Sequence, residues 1–437
     1  MDTQRFWDTV LTKQYRIAEA ARKYLEAGLT NLAHHIDESW MFCAYEWVNK
    51  NGAVGIDGVD AEEYAQGLWP KLERLVEQLK SGTYRAPAVK RVYIPKAGSE
   101  TDKRPIGIPT FEDKILQRAI EMVLEPIYEQ EFYDFSYGFR TGKSAHQALE
   151  RIWKESMNIG GGYIIDMDIS KYFDSIPHGQ LREIIGQRVS DGVIQRIIGK
   201  WLNAGVMDGG NLQYPGKGTP QGGVISPILS NIYLHEVLDK WFVETVKPCL
   251  KGRAYIVRYA DDAIIGCELE EDANRIMKVL PLRFAKYGLT IHPEKTKLVD
   301  FSKPRGDDRK GKGNFKFLGF KHFWQKSQKG NWVVYRKTDS KRLARAITAI
   351  SQWCRKFRNV PQKEQHDKLA VKLKGHYAYY GITGNYKGIE QFFDKVRVVW
   401  LNWLNRRSDR KSFTWERFTE YLKNFPLPAP KIVHSYC

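Results

Sequence analysis

Apolar positions recur at helical spacing through the first part of the chain. In EEYAQGLWPKLERLVEQLKSGTY (62–84), Tyr64, Leu68, Leu72, Leu75, Val76 and Leu79 share one face, and Gly82 supplies a C-terminal stop. Residues from about 4 to 80 are therefore expected to be mostly helical. VKRVYIP (89–95) has the composition of a strand that ends at Pro95, and KAGSETDKRP (96–105) that of a charged loop. Helical periodicity returns over 112–131 and 144–158. GGGYIIDMDIS (160–170) predicts a strand after a glycine-rich turn. VISPILSNIYLHEVLDKWFVETV (224–246) predicts a long helix after Gly222-Gly223. YIVRYADDAIIGC (255–267) and FKFLGFKHFW (315–324) read as strands, with a helix between them that stops at Gly288. SKPRGDDRKGKGN (302–314) is a turn or loop. Beyond Thr338 the pattern predicts three amphipathic helices, over 340–358, 368–381 and 389–407. No internal repeat is present. The expected order is a helical lead, a mixed α/β body and a small helical domain.

Charge sharpens the last boundary. Residues 303–437 hold 31 Lys and Arg against 10 Asp and Glu, so the whole +18 excess of the chain lies there. A basic block interleaved with Trp and Tyr marks a surface for nucleic-acid phosphates. The five cysteines, Cys43, Cys249, Cys267, Cys354 and Cys437, lack zinc-like spacing and are odd in number, which points to a reducing compartment. No apolar run approaches the roughly 18 residues of a membrane span, so no membrane partner is expected. The N-terminus MDTQRFWDTVLTKQYR lacks the apolar centre of a signal peptide. A cytoplasmic location follows as the expectation. His34 and His35 are not read as a metal pair, because adjacent side chains on a helix diverge.

Asp261 and Asp262 interrupt an apolar, β-branched run, where an isolated carboxylate is costly. Taken alone, they also fit a hairpin turn with both acids solvated, although Asn-Gly or Asp-Gly is the stronger hairpin signal. A second strand-like segment, YIIDMDISKYFDSI, carries Asp166, Asp168 and Asp174. Two acid-bearing strands in one α/β body point to a shared hard cation. Mg²⁺ takes one or two protein carboxylates beside water and phosphate, and two such ions clamp a phosphoryl transfer.

RYADDAII resembles the Tyr-x-Asp-Asp signature of reverse transcriptases. Further segments follow in the same family's order: GIDGVD (55–60), RVYIPK with KRPIGIP (91–109), DMDISKYFDSI (166–176), GTPQGGVISPILSNIYL (218–234), YGLTIHPEKT (287–296) and FKFLGF (315–320). LKGHYAYYGI (373–382) and VVWLNWLNRR (398–407) resemble the thumb, or maturase, domain of the bacterial group II intron-encoded reverse transcriptases. Together the resemblance covers about residues 30–430.

That resemblance implies a right-hand polymerase with an α+β palm. Residues 1–80 would be an N-terminal extension and the start of the fingers, 81–165 the fingers, 166–337 the palm with fingers insertions, and 338–437 the basic helical thumb/maturase domain. It implies Asp168, Asp261 and Asp262 as catalytic acids. Asp168, Asp261 and the carbonyl of Ile169 would hold two Mg²⁺ ions, while Asp166 is the weaker candidate ligand and Asp174 structural. Lys96, Arg104, Phe173, Gln221 and Lys295 would handle the dNTP, with Phe173 as the gate against a ribose 2′-hydroxyl or, otherwise, a core aromatic. Lys341, Arg342, Arg345, Arg355, Lys356, Lys374, Arg406 and Arg407 would grip nucleic acid. The implied partners are group II intron RNA, an RNA template with its DNA primer, and target DNA, which brings the protein to the nucleoid. No Cys-pair or His-x-x-His cluster follows the thumb, so no endonuclease domain is expected. Priming would then come from nascent strands at a replication fork. A domesticated reverse transcriptase, a splicing-only RNA-binding factor and an RNA-dependent RNA polymerase are the alternatives. The intact acids oppose the second of these, and Phe173 opposes the third.

Overall fold

The computed structural model describes residues 3–25, 27–95, 103–219, 222–305, 311–407 and 413–435. The helical lead is broken into Thr3–Lys23, Glu38–Trp47, Ala61–Ala65 and Leu68–Ser81. Asp37 starts the second by accepting from Trp40 N at 3.0 Å, and Asp60 starts the third by accepting from Glu63 N at 2.9 Å. Gly82 closes the fourth with φ +75°. Residues 48–60, rich in Asn, Gly and Asp, are not helical. His34 and His35 fall in a 3-10 turn, where their rings do not diverge but lie with centroids 3.8 Å apart. Burial, then His34 and Lys13, push His35 down to about 4.

The charged segment before Ile106 is not all loop. Lys103–Ile108 is a strand antiparallel to Val89–Pro95, from Lys90 opposite Ile108 to Pro95 opposite Lys103. It lies at one edge of a four-stranded sheet ordered 103–108, 89–95, 206–208, 211–213. Proline is tolerated on such an edge strand, and Pro105 lies on it opposite Tyr93. The expected strand over 315–324 is two strands, Asn314–Phe317 and Phe320–Lys326, paired antiparallel. Leu318 and Gly319 turn the chain with φ +48° and +82°, the twist that suits a two-residue hairpin without its usual Asn-Gly signal. A third strand, Trp332–Thr338, completes that sheet. The acid-bearing sheet runs in the order Ala254–Tyr259, Asp262–Cys267, Tyr163–Met167, Lys297–Asp300.

By compactness the chain divides into two units: 1–144 with 167–265 and 271–297, and 145–166 with 266–270 and 298–437. The first is built around the helices Phe111–Tyr128 and Ser226–Leu234, buried over much of their lengths. Ser226–Leu234 continues as a π-helix over His235–Val246, so the long helix expected there changes its winding midway. In the second unit the helices Ser340–Lys356, Gln362–Tyr380, Tyr386–Leu404 and Trp415–Asn424 close around Trp400, Phe418, Leu369 and Ile389. Each fully buried side chain of this kind contributes roughly 1.5–3 kcal/mol. Gln365 ties the helices together, accepting from Trp400 Nε1 at 2.9 Å and donating to the Phe357 carbonyl at 2.8 Å.

Candidate active site

Strand Ala254–Tyr259 turns into strand Asp262–Cys267 through two residues, Ala260 and Asp261. The hairpin expected of YADD is thus present, with the acids at its turn. Ala260 has φ +56°. Glycine is the usual residue there, so an alanine marks stored strain. The turn leaves Asp261 half-buried and Asp262 exposed.

Asp168 follows strand Tyr163–Met167 directly. Its carbonyl accepts from His292 N at 2.8 Å, and Ser170 N donates to the Thr290 carbonyl at 2.8 Å. Ile169 pairs with Ile291 between those two bonds. It thus occupies the non-hydrogen-bonded position of an antiparallel pair, with its own carbonyl directed away from the 290–292 segment. Thr296 Oγ1 accepts from Asp168 N at 3.2 Å. Lys295 Nζ stands 2.8 Å from Asp168 Oδ2.

Electrostatics ties the two acids together. Burial raises the Asp261 pKa, and the Asp168 carboxylate raises it further, while Arg104 and Arg258 act in the opposite direction. Two half-buried carboxylates and a backbone carbonyl facing away from the 290–292 segment form a donor set that could hold a hard oxygen-seeking cation, with water and phosphate as its remaining ligands. Among the described residues no three His, Cys, Asp or Glu side chains converge as a closed metal cage. The arrangement is of the open kind.

Around this pair, Lys171 has φ +46° and starts the short helix Tyr172–Ser175. Tyr172 is the core aromatic, buried, its hydroxyl donating to the Ser230 carbonyl at 2.6 Å. Phe173 is only half-buried. Its carbonyl accepts from Thr219 N at 2.8 Å, so the 218–219 loop fixes the backbone beneath it. Gly222 has φ +112°, and a Cβ there would sit 2.7 Å from the Gly107 carbonyl oxygen. That glycine therefore packs closely against the strand Lys103–Ile108. Arg104 is exposed on that strand. Asp174 is exposed at a cavity of about 360 Å³ shared with Arg91, Trp201 and Lys217. Asp166 is half-buried. Lys96 and Gln221 lie outside the described residues.

Of the basic residues singled out in the last third, Lys341, Arg342, Arg355, Lys356, Lys374 and Arg406 are exposed and Arg345 is half-buried. Arg355 and Lys356 form one basic hollow with Arg358. Arg407 differs, since its guanidinium turns inward and donates to the Val360 carbonyl.

The sequence reading passed over Arg258. It lies in the apolar strand three residues before Asp261 and is fully buried. A buried arginine requires a partner, and that was the signal available. Its partners, Asp239 and Asn231, carried none of their own.

The reverse transcriptase (RNA-dependent DNA polymerase) family pattern matches residues 94–322. Protein YkfC of Escherichia coli (strain K12) is 32% identical over 332 residues, covering 68% of this chain and 83% of that protein. Group II intron-encoded protein LtrA of Lactococcus lactis subsp. cremoris is 36% identical over 232 residues, 52% of this chain and 38% of LtrA. Nuclear intron maturase 4, mitochondrial, of Arabidopsis thaliana is 26% identical over 190 residues, 42% of this chain and 21% of that protein. Among the described residues no helix is long and apolar enough to cross a membrane.

Proposed function

Because the chain belongs to the reverse transcriptase family, we propose that it copies RNA into DNA at Asp168 and Asp261 and assists the splicing of a group II intron RNA. The observation that carries the polymerase half is the Asp168 carboxylate standing close enough to raise the pKa of Asp261, beside an Ile169 carbonyl that faces away from the 290–292 segment. The maturase half rests on the similarity to LtrA and to intron maturases.

In this reading the chain is a right hand, with an extension and the start of the fingers over 1–80, fingers over 81–165, palm with fingers insertions over 166–337 and thumb over 338–437. Asp168, Asp261 and the Ile169 carbonyl hold two Mg²⁺ ions, and Asp262 is the third acid of the site. When bound, those ions stabilise charge on the attacking primer 3′-oxygen and on the departing pyrophosphate. Arg104 and Lys96 receive the triphosphate through charge-assisted contacts. Lys295 neutralises Asp168 before the substrate arrives and then turns to the primer end or the triphosphate. Phe173, outside the core and fixed from below by Thr219, blocks a 2′-hydroxyl. Gln221 lies beside the incoming nucleotide.

The basic residues of 338–437 grip the template–primer duplex and the intron RNA by phosphate and shape. Target DNA is a further partner in this reading, and would bring the protein to the nucleoid.

The test is splicing of the cognate intron at near-physiological Mg²⁺ with wild type, Asp261→Ala, and a chain lacking 338–437. Wild type and Asp261→Ala are expected to help, and the truncated chain is not. If the intron spliced equally well without protein, or only the polymerase-competent protein helped, the maturase half would fall.

A further inference from the structure

The guanidinium of Arg258 makes four hydrogen bonds inside the first compact unit. Nε and Nη2 donate to Asp239 Oδ1 and Oδ2 at 2.8 and 2.5 Å. Nη1 donates to Asn231 Oδ1 at 2.9 Å and to the Ala260 carbonyl at 3.0 Å. Arg258 and Asp239 are both fully buried. A buried ion pair is weak evidence of net stabilisation, since desolvation offsets much of the attraction. The direction of the fourth bond is more telling. It runs from the pair to the first residue of the turn that carries Asp261.

The turn is fixed from its other side as well. Gly138 packs so closely that a Cβ there would lie 2.3 Å from Ala260 N. Asn231, which anchors the guanidinium, also donates to the Gly138 carbonyl at 2.7 Å. The backbone of Arg258 is held by its N–H donating to the Phe135 carbonyl and by Tyr137 N donating to its own carbonyl, both at 2.9 Å. A positive φ at a residue with a Cβ persists only where its surroundings over-determine it. Here the surroundings are one charged fork, one amide and one glycine.

We propose that Arg258 is a positioning residue of the polymerase: anchored by Asp239 and Asn231, its guanidinium fixes the Ala260 carbonyl and so holds the strained turn that presents Asp261. The proposal rests on the reading of Asp261 as a metal ligand. Arg258 touches no reacting atom. It acts through the backbone of Ala260, and lysine cannot replace it, because an ammonium group lacks the planar fork that meets Asp239 with two bonds while a third arm reaches Asn231 and Ala260.

The experiment compares wild type, Arg258→Lys, Asp261→Asn and the double variant. The readouts are Mn²⁺ binding followed by electron paramagnetic resonance, kcat and KM for dNTP, RNA affinity and melting temperature. Arg258→Lys is expected to weaken Mn²⁺ binding and lower kcat by about tenfold, the scale seen for partners that orient a metal ligand. KM for dNTP and RNA affinity should stay within about twofold of wild type. In the Asp261→Asn background the same substitution should weaken Mn²⁺ no further. Unchanged Mn²⁺ binding in Arg258→Lys, or an equal loss in both backgrounds, would overturn the proposal while leaving Asp261 as a ligand. Normal Mn²⁺ binding and incorporation by Asp261→Asn would overturn both. Should Arg258→Lys fail to fold, Asn231→Ser carries the same expectations, since it removes an anchor of the fork and leaves the ion pair in place.

Discussion

Asp113 is a fully buried carboxyl surrounded by donors: Tyr84 Oη at 2.9 Å, Trp201 Nε1 at 2.6 Å and Gln117 Nε2 at 2.8 Å. Burial outweighs these hydrogen bonds and pushes its pKa up to about 6. The native state therefore holds this proton more tightly than the unfolded chain does. The associated stability is present below pH ~4 and is lost as pH rises through about 6. With ~1.4 kcal/mol per unit, roughly 3 kcal/mol is at stake. Asp113→Asn does not titrate. The stability difference, wild type minus variant, should shrink by that order between pH 4 and pH 7 in denaturant melts. A constant difference would show that folding leaves the pKa of this carboxyl unshifted. Phe173 allows a second check at this scale. Phe173→Val should raise ribonucleotide incorporation relative to deoxyribonucleotide, and an unchanged preference would return Phe173 to a packing role. The acids were legible because a carboxylate in an apolar strand is conspicuous. Asp113 was not, since in FEDKILQ it reads as an ordinary residue of a helix's first turn, and only tertiary packing buries it.

The hairpin Ala254–Cys267 shows how an element stores a site. Its pattern predicted two apolar strands and left open whether the acids between them were solvated or gathered. The fold brings residues 135–138 alongside Arg258, a contact across more than a hundred residues that no local periodicity encodes. Gly138→Ala tests that packing, because its Cβ would meet Ala260 N at 2.3 Å. A loss of about 1–3 kcal/mol is expected from such overpacking, together with reduced incorporation. Gly179→Ala, on the helix His178–Arg188 with nothing within 4 Å, is the contrasting substitution and should stabilise by up to about 1 kcal/mol. Equal effects of the two in thermal melts would contradict the packing described. The other element-scale differences have equally local causes. Lys103–Ile108 was hidden by its charges and Pro105, which only an edge strand accepts. The split of 314–326 was hidden because Leu-Gly is not a typical hairpin dipeptide.

For the whole molecule, the charge division was the plainest feature of the sequence, with a net +21 confined to residues 303–437. Most of the basic residues singled out there are exposed on helices that share one apolar core. If they carry the grip, RNA affinity should fall steeply with salt, by roughly 0.7–0.9 in log–log slope per phosphate neutralised. Neutralising Lys341, Arg342, Arg345, Arg355 and Lys356 together should flatten that slope by up to about 4 units. Neutralising five basic residues within 1–90 should change it less. Arg407 is left out of the set, because its inward bond to Val360 makes it a structural residue as well. The central claim is that Asp168 and Asp261 together run DNA synthesis on RNA, and its most direct test is extension of a DNA primer on an RNA template with dNTPs and Mg²⁺. Wild type should extend the primer, and Asp168→Ala and Asp261→Ala should each abolish extension while binding the template–primer with near-wild-type affinity. Near-wild-type extension by either variant would contradict the account.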